Sequence, residues 1–307
     1  MALSRFRPVD WVVLAWVAVA SVVAFVRLGS APRVEWVLAA HALVILLVIL
    51  VRRPSHGRVG TALGDLYPLL ILVALYGSLD LLAGGGGVRT FDAGVRRWEE
   101  AIFGGQPSLT WWQAAPSRLW STVFHASYFS YYVVVPAGPL WFLARGDRRA
   151  LHRSVLAILA AFVACYLAFL FVPVAGPYYE FPRPAAVVVD NWAARLVYGV
   201  LEKGSSYGAA FPSSHVAATL AATGAAAFAS RGLGAVLAVP SLLLSVGVVY
   251  CQMHYAVDAV AGAVVAAVVL GVLAWLEIAE RTEGRRSGAG PGRSGPVPDR
   301  RPDATGS

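Results

Sequence analysis

Apolar residues fall into long runs along this chain, separated by short connections that carry most of the arginines. Eight runs stand out, at residues 10–26, 34–51, 66–83, 119–144, 151–172, 212–230, 232–250 and 255–278. Each meets or approaches the roughly 17–25 residues that an α-helix needs to cross a bilayer. Helices are expected throughout, because lipid leaves the backbone of an open strand unpaired. The pattern therefore predicts an all-α polytopic membrane protein with about eight transmembrane helices. The first run follows Arg5 and Arg7 as a signal peptide would, but it is longer than a usual signal core. Pro32 also directly follows the best cleavage candidate, Ser30-Ala31, so a retained span is expected. The glycine run at 84–87 reads as a flexible exit from the third span.

Composition agrees with this pattern. The 307 residues are 58% hydrophobic and 14% charged, whereas a soluble chain carries about 25% charged residues. Disorder, collagen-like repeats and a disulfide scaffold are excluded for the body of the chain. Cys165 and Cys251 both lie inside apolar runs and suggest neither a disulfide framework nor a thiolate metal cage.

A net charge of +8 raises the question of nucleic acid, but the basic residues sit in short loops and in the tail, so no nucleic-acid partner is expected. Arg5 and Arg7, then Arg52, Arg53 and Arg58, then Arg145, Arg148, Arg149 and Arg153, then Arg231, and finally Arg281, Arg285 and Arg286 fall on one side if eight spans are counted. The positive-inside rule makes that side cytoplasmic, with both termini inside. Connections 84–118 and 173–211 and the short turn 251–254 then face outward. Residues 281–307, rich in Gly, Pro, Ser and Arg, are expected to form a disordered cytoplasmic tail. Heavy Arg and Ala usage suggests a bacterial inner membrane.

Ionisable side chains near span ends carry the candidate chemistry, since such groups are costly in a bilayer. His56 and His152 fall in cytoplasmic loops, and His41 reads as a packed histidine. His125, His215 and His254 all fall toward the outer ends of their spans. His254 and Asp258 are spaced i, i+4, so they share a helix face and the carboxylate can orient the imidazole. Neutralisation of a buried histidine explains that pair equally well. Phe211-Pro212-Ser213-Ser214-His215 opens a span, with Ser213 or Ser214 as a cap. The free amides and positive dipole end of such a helix start attract an anion. Two histidines beside an anion nest suit phosphoryl transfer. Arg183, in the loop after span five, is a candidate phosphate ligand.

The order Arg-Pro, then Pro-Ser-x-His opening a helix, then His-x-x-x-Asp opening a later one resembles the type 2 phosphatidic acid phosphatase superfamily, over roughly residues 66–279. The resemblance implies two extra N-terminal helices over 1–58, a six-helix phosphatase-type domain over 59–280 and the tail 281–307. It implies His254 as nucleophile through a phosphohistidine, Asp258 as its orienting group and His215 as acid and base. Arg183 and the amides around Ser213, Ser214 and His215 would bind the phosphate of a lipid phosphate substrate, with no metal and no cofactor.

Four motif positions depart from the family. Gly176 stands where a lysine is common, Ser214 where glycine is common, and Gly247-Val248 where Ser-Arg is common. Similar absences make the chain resemble the inositol phosphorylceramide synthase-like branch, as does the segment from Asp92 through Trp98-Glu99-Glu100 to Pro107, which also reads as an interfacial helix. His125, with Tyr128, Tyr131 and Tyr132 nearby, and Tyr178 and Tyr179 are candidates to compensate for the missing cations. Lys203, the only lysine, lies in the same outer loop as Arg183 without a placement. Two other readings stand beside this one: a metal triad of His215, His254 and Asp258, and a transporter or degenerate lipid-phosphate binder.

Overall fold

The computed structural model describes residues 6–29, 32–53, 57–83, 88–204 and 206–288. The glycine run 84–87, His56 and tail residues 289–307 lie outside them. Among the described residues the chain forms α1 (Pro8–Leu28), α2 (Pro32–Val51), α3 (Arg58–Ala83), α4 (Asp92–Phe103), α5 (Pro107–Ala114), α6 (Arg118–Phe129) and α7 (Tyr131–Arg145). These are followed by α8 (Arg148–Phe171), α9 (Pro177–Glu180), α10 (Ala186–Val189), α11 (Trp192–Gly204), α12 (Ser214–Ala229), α13 (Arg231–Tyr250) and α14 (Ala256–Gly288). The fold is all-α, as the apolar pattern predicts. Residues up to Leu270 form one compact unit, which includes α1 and α2; a second unit begins at Gly271. The helix in that second unit continues through Gly288, eight residues into the segment expected to be disordered. Arg281, Glu283, Arg285 and Arg286 favour helix, so a run already nucleated in apolar sequence carries on through them.

Six helices are long and apolar enough to cross a membrane: α1, α2, α3, α8, α13 and α14. The other two expected spans take different forms. Residues 119–144 are not one helix but α6 and α7, jointed at Ser130. Ser127 and Ser130 donate their hydroxyls to the Val123 and Ser127 carbonyls, competing for the helix's own acceptors, and Pro136 removes an amide one turn later. The span at 212–230 is the 16-residue α12, about 24 Å long and so shorter than a bilayer core. Its alanines, including Ala217, Ala218, Ala221 and Ala225, are buried, and their small side chains let α8, α13 and α7 pack closely around it.

One end of the bundle is pinned by charge. The buried Asp65 carboxylate takes Arg7 at 2.6 Å, Arg148 at 2.9 Å and His152 at 2.9 Å. Asp10, also buried, pairs with Arg52 at 2.8 Å and accepts the Tyr67 hydroxyl. The start of α1, the end of α2 and the starts of α3 and α8 therefore meet at one end, the same grouping that the arginine pattern predicts. The far end of α8 leads to the opposite side of the bundle. There the start of α12 meets the first turns of α14, where the Ser213 amide donates to the Asp258 carbonyl at 2.9 Å.

Gly262, one turn further along α14, makes that approach possible. A Cβ at Gly262 would lie 2.5 Å from the Ser213 carbonyl oxygen and 3.2 Å from the Val216 Cβ. Gly262→Ala is therefore expected to destabilise the bundle by about 1–3 kcal/mol, the usual range for overpacking. Thermal unfolding in detergent should show a clear drop, while Gly77→Ala, with nothing within 4 Å of its Cβ position, should show none.

Candidate active site

The turn between α13 and α14 places His254. The Cys251 amide closes onto the Gly247 carbonyl, and Gln252 adopts a left-handed conformation with φ 61°, rare and costly for a residue other than glycine. The chain reverses there, and the Met253 and His254 amides both donate to the Val248 carbonyl, at 2.9 and 3.0 Å. His254 Nδ1 donates to the Ala210 carbonyl at 3.0 Å. Asp258 Oδ2 stands 3.5 Å from the same nitrogen and accepts the Tyr255 amide at 2.9 Å. The sequence expects Asp258 to orient His254; here the Ala210 carbonyl takes the Nδ1 hydrogen bond, and Asp258, which caps its own helix, stands within ion-pair distance of the same nitrogen. The outcome for the ring is the same: Nδ1 carries the proton and Nε2 keeps its lone pair. Burial pulls His254 down to about 4, against the opposing pull of the Ala210 carbonyl, so the imidazole is neutral at neutral pH.

Ala210 is itself fixed by a short pairing of two loops. Val174 donates to Gly208 at 3.0 Å, and Ala210 donates back to Val174 at 2.9 Å. Gly176 follows with φ 92°, and a Cβ there would lie 2.9 Å from the Ala210 Cβ. Its amide and that of Ala175 both bind the buried Asp92 carboxylate at 2.9 Å. At the position where the family commonly has lysine, this chain therefore has a backbone conformation that favours glycine and the close approach that locates the His254 acceptor. Val248, at the position of the common arginine, is fully buried, and its carbonyl organises the His254 turn.

His215 sits in the first turn of α12. Ser213 caps this helix, accepting the Val216 amide at 3.4 Å, and its own amide is taken by Asp258. That leaves the Ser214 and His215 amides of the first turn without an acceptor among the described residues. The His215 ring lies between Tyr128 and Tyr131, with centroids at 4.8 and 4.7 Å, and its Nε2 is 3.2 Å from the Tyr128 hydroxyl. The His215 and His254 ring centroids are 5.8 Å apart. Both rings line a small chamber of about 50 Å³ with Tyr76, Tyr128, Tyr178 and Ser206. A second cavity of about 300 Å³, walled by Tyr76, Tyr128, Tyr131, Tyr132, Phe162 and Tyr166, shares His215 with it. Among the described residues, no arginine or lysine lines either cavity.

The other candidate residues are divided between the chamber and positions outside it. Arg183 is exposed at the margin, donating to the Tyr178 hydroxyl at 2.7 Å and stacking 4.1 Å from the Tyr178 ring centre. It reaches the chamber only through Tyr178. His125 is fully buried and lines neither cavity, with Nδ1 2.9 Å from the Ser121 carbonyl and 3.3 Å from Cys251 Sγ. In this structure the ring is packed and does not face the chamber. Lys203 falls in α11, and Tyr179 lines the small chamber. The metal triad reading needs His215, His254 and Asp258 to converge on one point, but Asp258 lies on the Nδ1 side of His254 and outside the chamber lining.

Three groups at the site escaped the sequence reading: Tyr76, the Ala210 carbonyl and the Glu99 carboxylate. A backbone carbonyl leaves no sequence signal. Glu99 lies in the Trp98-Glu99-Glu100 segment that the sequence singles out, but its burial is visible only in the structure.

No curated protein and no solved structure matches the chain. The family pattern of the PAP2 superfamily matches residues 95–272, which span the segment from α4 through the interhelical turns and both histidines. With more than half its length covered by that match, the chain belongs to the PAP2 superfamily.

Proposed function

We propose that the protein cleaves or transfers the phosphoryl group of a lipid phosphate through a covalent intermediate on His254. The observation that carries this reading is the pair of imidazoles, 5.8 Å apart, facing one chamber at the start of α12. That separation allows one phosphoryl group to contact both rings at about 3–3.5 Å. His254 Nε2 attacks phosphorus, and the P–O bond to the lipid alcohol breaks with its electron pair on oxygen. The negative charge of the bound phosphate favours the protonated form of His215, which supplies the proton to that oxygen. In the second half, His215 takes a proton from water or an alcohol, the new oxygen attacks phosphorus, and the P–N bond returns its pair to His254. The free Ser214 and His215 amides hold the phosphate oxygens, aided by the helix dipole. Asp258 stabilises the imidazolium character that develops on His254, and Arg183 acts at the entrance.

The resemblance to the inositol phosphorylceramide synthase-like branch favours transfer to an alcohol, and the aromatic cavity of about 300 Å³ beside His215 offers that acceptor a place. With the arginine-rich end of the bundle cytoplasmic, the site faces the outer leaflet and both termini lie inside. One observation favours the second reading, a lipid-phosphate binder without turnover: among the described residues, no arginine or lysine lines the chamber.

A panel of lipid phosphates in detergent micelles separates the two. Phosphate release or transfer by the wild type that is blocked by orthovanadate, unaffected by EDTA and lowered at least about 10³-fold in His254→Ala is expected. Equal turnover by His254→Ala would exclude the histidine route. The pH profile has a worked sign. His254 reacts as the neutral base, and burial holds it neutral down to about pH 4, so activity should persist through pH 5 and fall as pH drops through about 4. A fall centred near the ordinary histidine value of about 6.5 would contradict a buried nucleophile.

A further inference from the structure

The start of α14 is held by a side chain from outside the histidine motifs. Glu99, on α4, is fully buried, and its Oε1 accepts the Ala256 amide at 2.5 Å. Ala256 is the first residue of α14, between His254 and Asp258 in the chain. Its other oxygen, Oε2, is buried with no hydrogen-bond partner among the described residues, and so is Oδ1 of Asp258. Two buried carboxyl groups thus meet one helix turn, each with one oxygen bound to an amide and one left over. Two anions so placed repel each other, and a proton on one of them removes the conflict.

Building on the histidine mechanism above, we infer that Glu99 is a positioning residue: as a neutral acid it clamps the first turn of α14 and adds no negative charge behind His254. The charged and titratable groups around it fit that role. On its own helix, Asp92 is saturated by the Ala175 and Gly176 amides and the Tyr255 hydroxyl, and Arg96 points to Glu180 of α9 at 3.9 Å. From α14 and its turn come only Tyr255, whose hydroxyl is on Asp92, His254, whose Nδ1 is on Ala210, and Asp258. No cation pairs with Glu99 among the described residues. Burial, followed by the Asp258 charge and opposed by the Ala256 amide, raises Glu99 to about 7. The group is therefore protonated below that pH and anionic above it. Negative charge added behind His254 opposes the incoming phosphate, so the reaction should weaken as pH rises through about 7.

Glu99→Gln is the informative variant, because its amide oxygen still accepts the Ala256 amide but never ionises. It should move the alkaline limb of the pH profile upward by more than about one unit. A merely structural Glu99 predicts an unchanged alkaline limb in Glu99→Gln, and that result overturns the inference. Glu99→Leu, which removes the acceptor as well, should lower kcat by about 10–100-fold with KM little changed. A second readout needs no substrate: infrared titration of the folded protein should show a carboxylic-acid C=O band that fades as pH rises through about 7 and is missing from Glu99→Gln. A wild type without that band overturns the inference even if turnover is normal. If the band is present and no lipid phosphate is turned over, the fault lies with the proposed reaction instead.

Discussion

The hydrogen bond from the Ser213 amide to the Asp258 carbonyl holds two helix starts against each other, and the rest of the site depends on it. Each helix start carries roughly half a positive charge, so bringing two together is unfavourable unless something negative sits between or behind them. Carboxyl oxygens of Asp258 and Glu99 accept the Tyr255 and Ala256 amides at the start of α14, and the amides of Ser214 and His215 stay open in front of α12. The consequence is a chamber whose field attracts an anion although, among the described residues, no arginine or lysine lines it. Gly262 permits the approach, and no other residue fits against the Ser213 carbonyl without a shift.

The two missing family cations have a structural counterpart. Gly176 occupies a left-handed conformation pressed against Ala210, whose carbonyl fixes the His254 tautomer; Val248 is buried and organises the turn that carries the histidine. In this chain both positions hold backbone in place. The chamber is walled by tyrosines instead, with Tyr128 touching His215 and Tyr178 linking the chamber to Arg183. Phenol hydroxyls donate hydrogen bonds without adding charge, so binding there rests on oriented dipoles more than on ion pairing.

What was legible in the sequence is what local spacing controls. The i, i+4 relation of His254 and Asp258, the Ser213 cap and the apolar runs of α1, α2, α8, α13 and α14 all follow from short-range rules. The joint at Ser130 was hidden because hydropathy averages over the serine hydroxyls and prolines that interrupt the helix ladder. The acceptor for His254 was hidden because Ala210 is 44 positions away and uses a carbonyl every residue possesses. Arg183 was drawn to the site by motif order alone, whereas cation–π stacking on Tyr178 holds it at the margin. Glu99 was visible as a charge in an amphipathic helix, but its target, the Ala256 amide 157 positions away, is set by the tertiary fold.

The central claim is that His254 becomes covalently phosphorylated. Brief incubation of the protein with a lipid phosphate labelled in its phosphoryl group, followed by alkaline denaturation and peptide mapping, tests it most directly. The account predicts an acid-labile label on the peptide carrying His254, absent from His254→Ala and accumulating in His215→Ala, where the second half-reaction lacks its base. Turnover of the same lipid with no label trapped in either protein, or label on a residue other than His254, would contradict it.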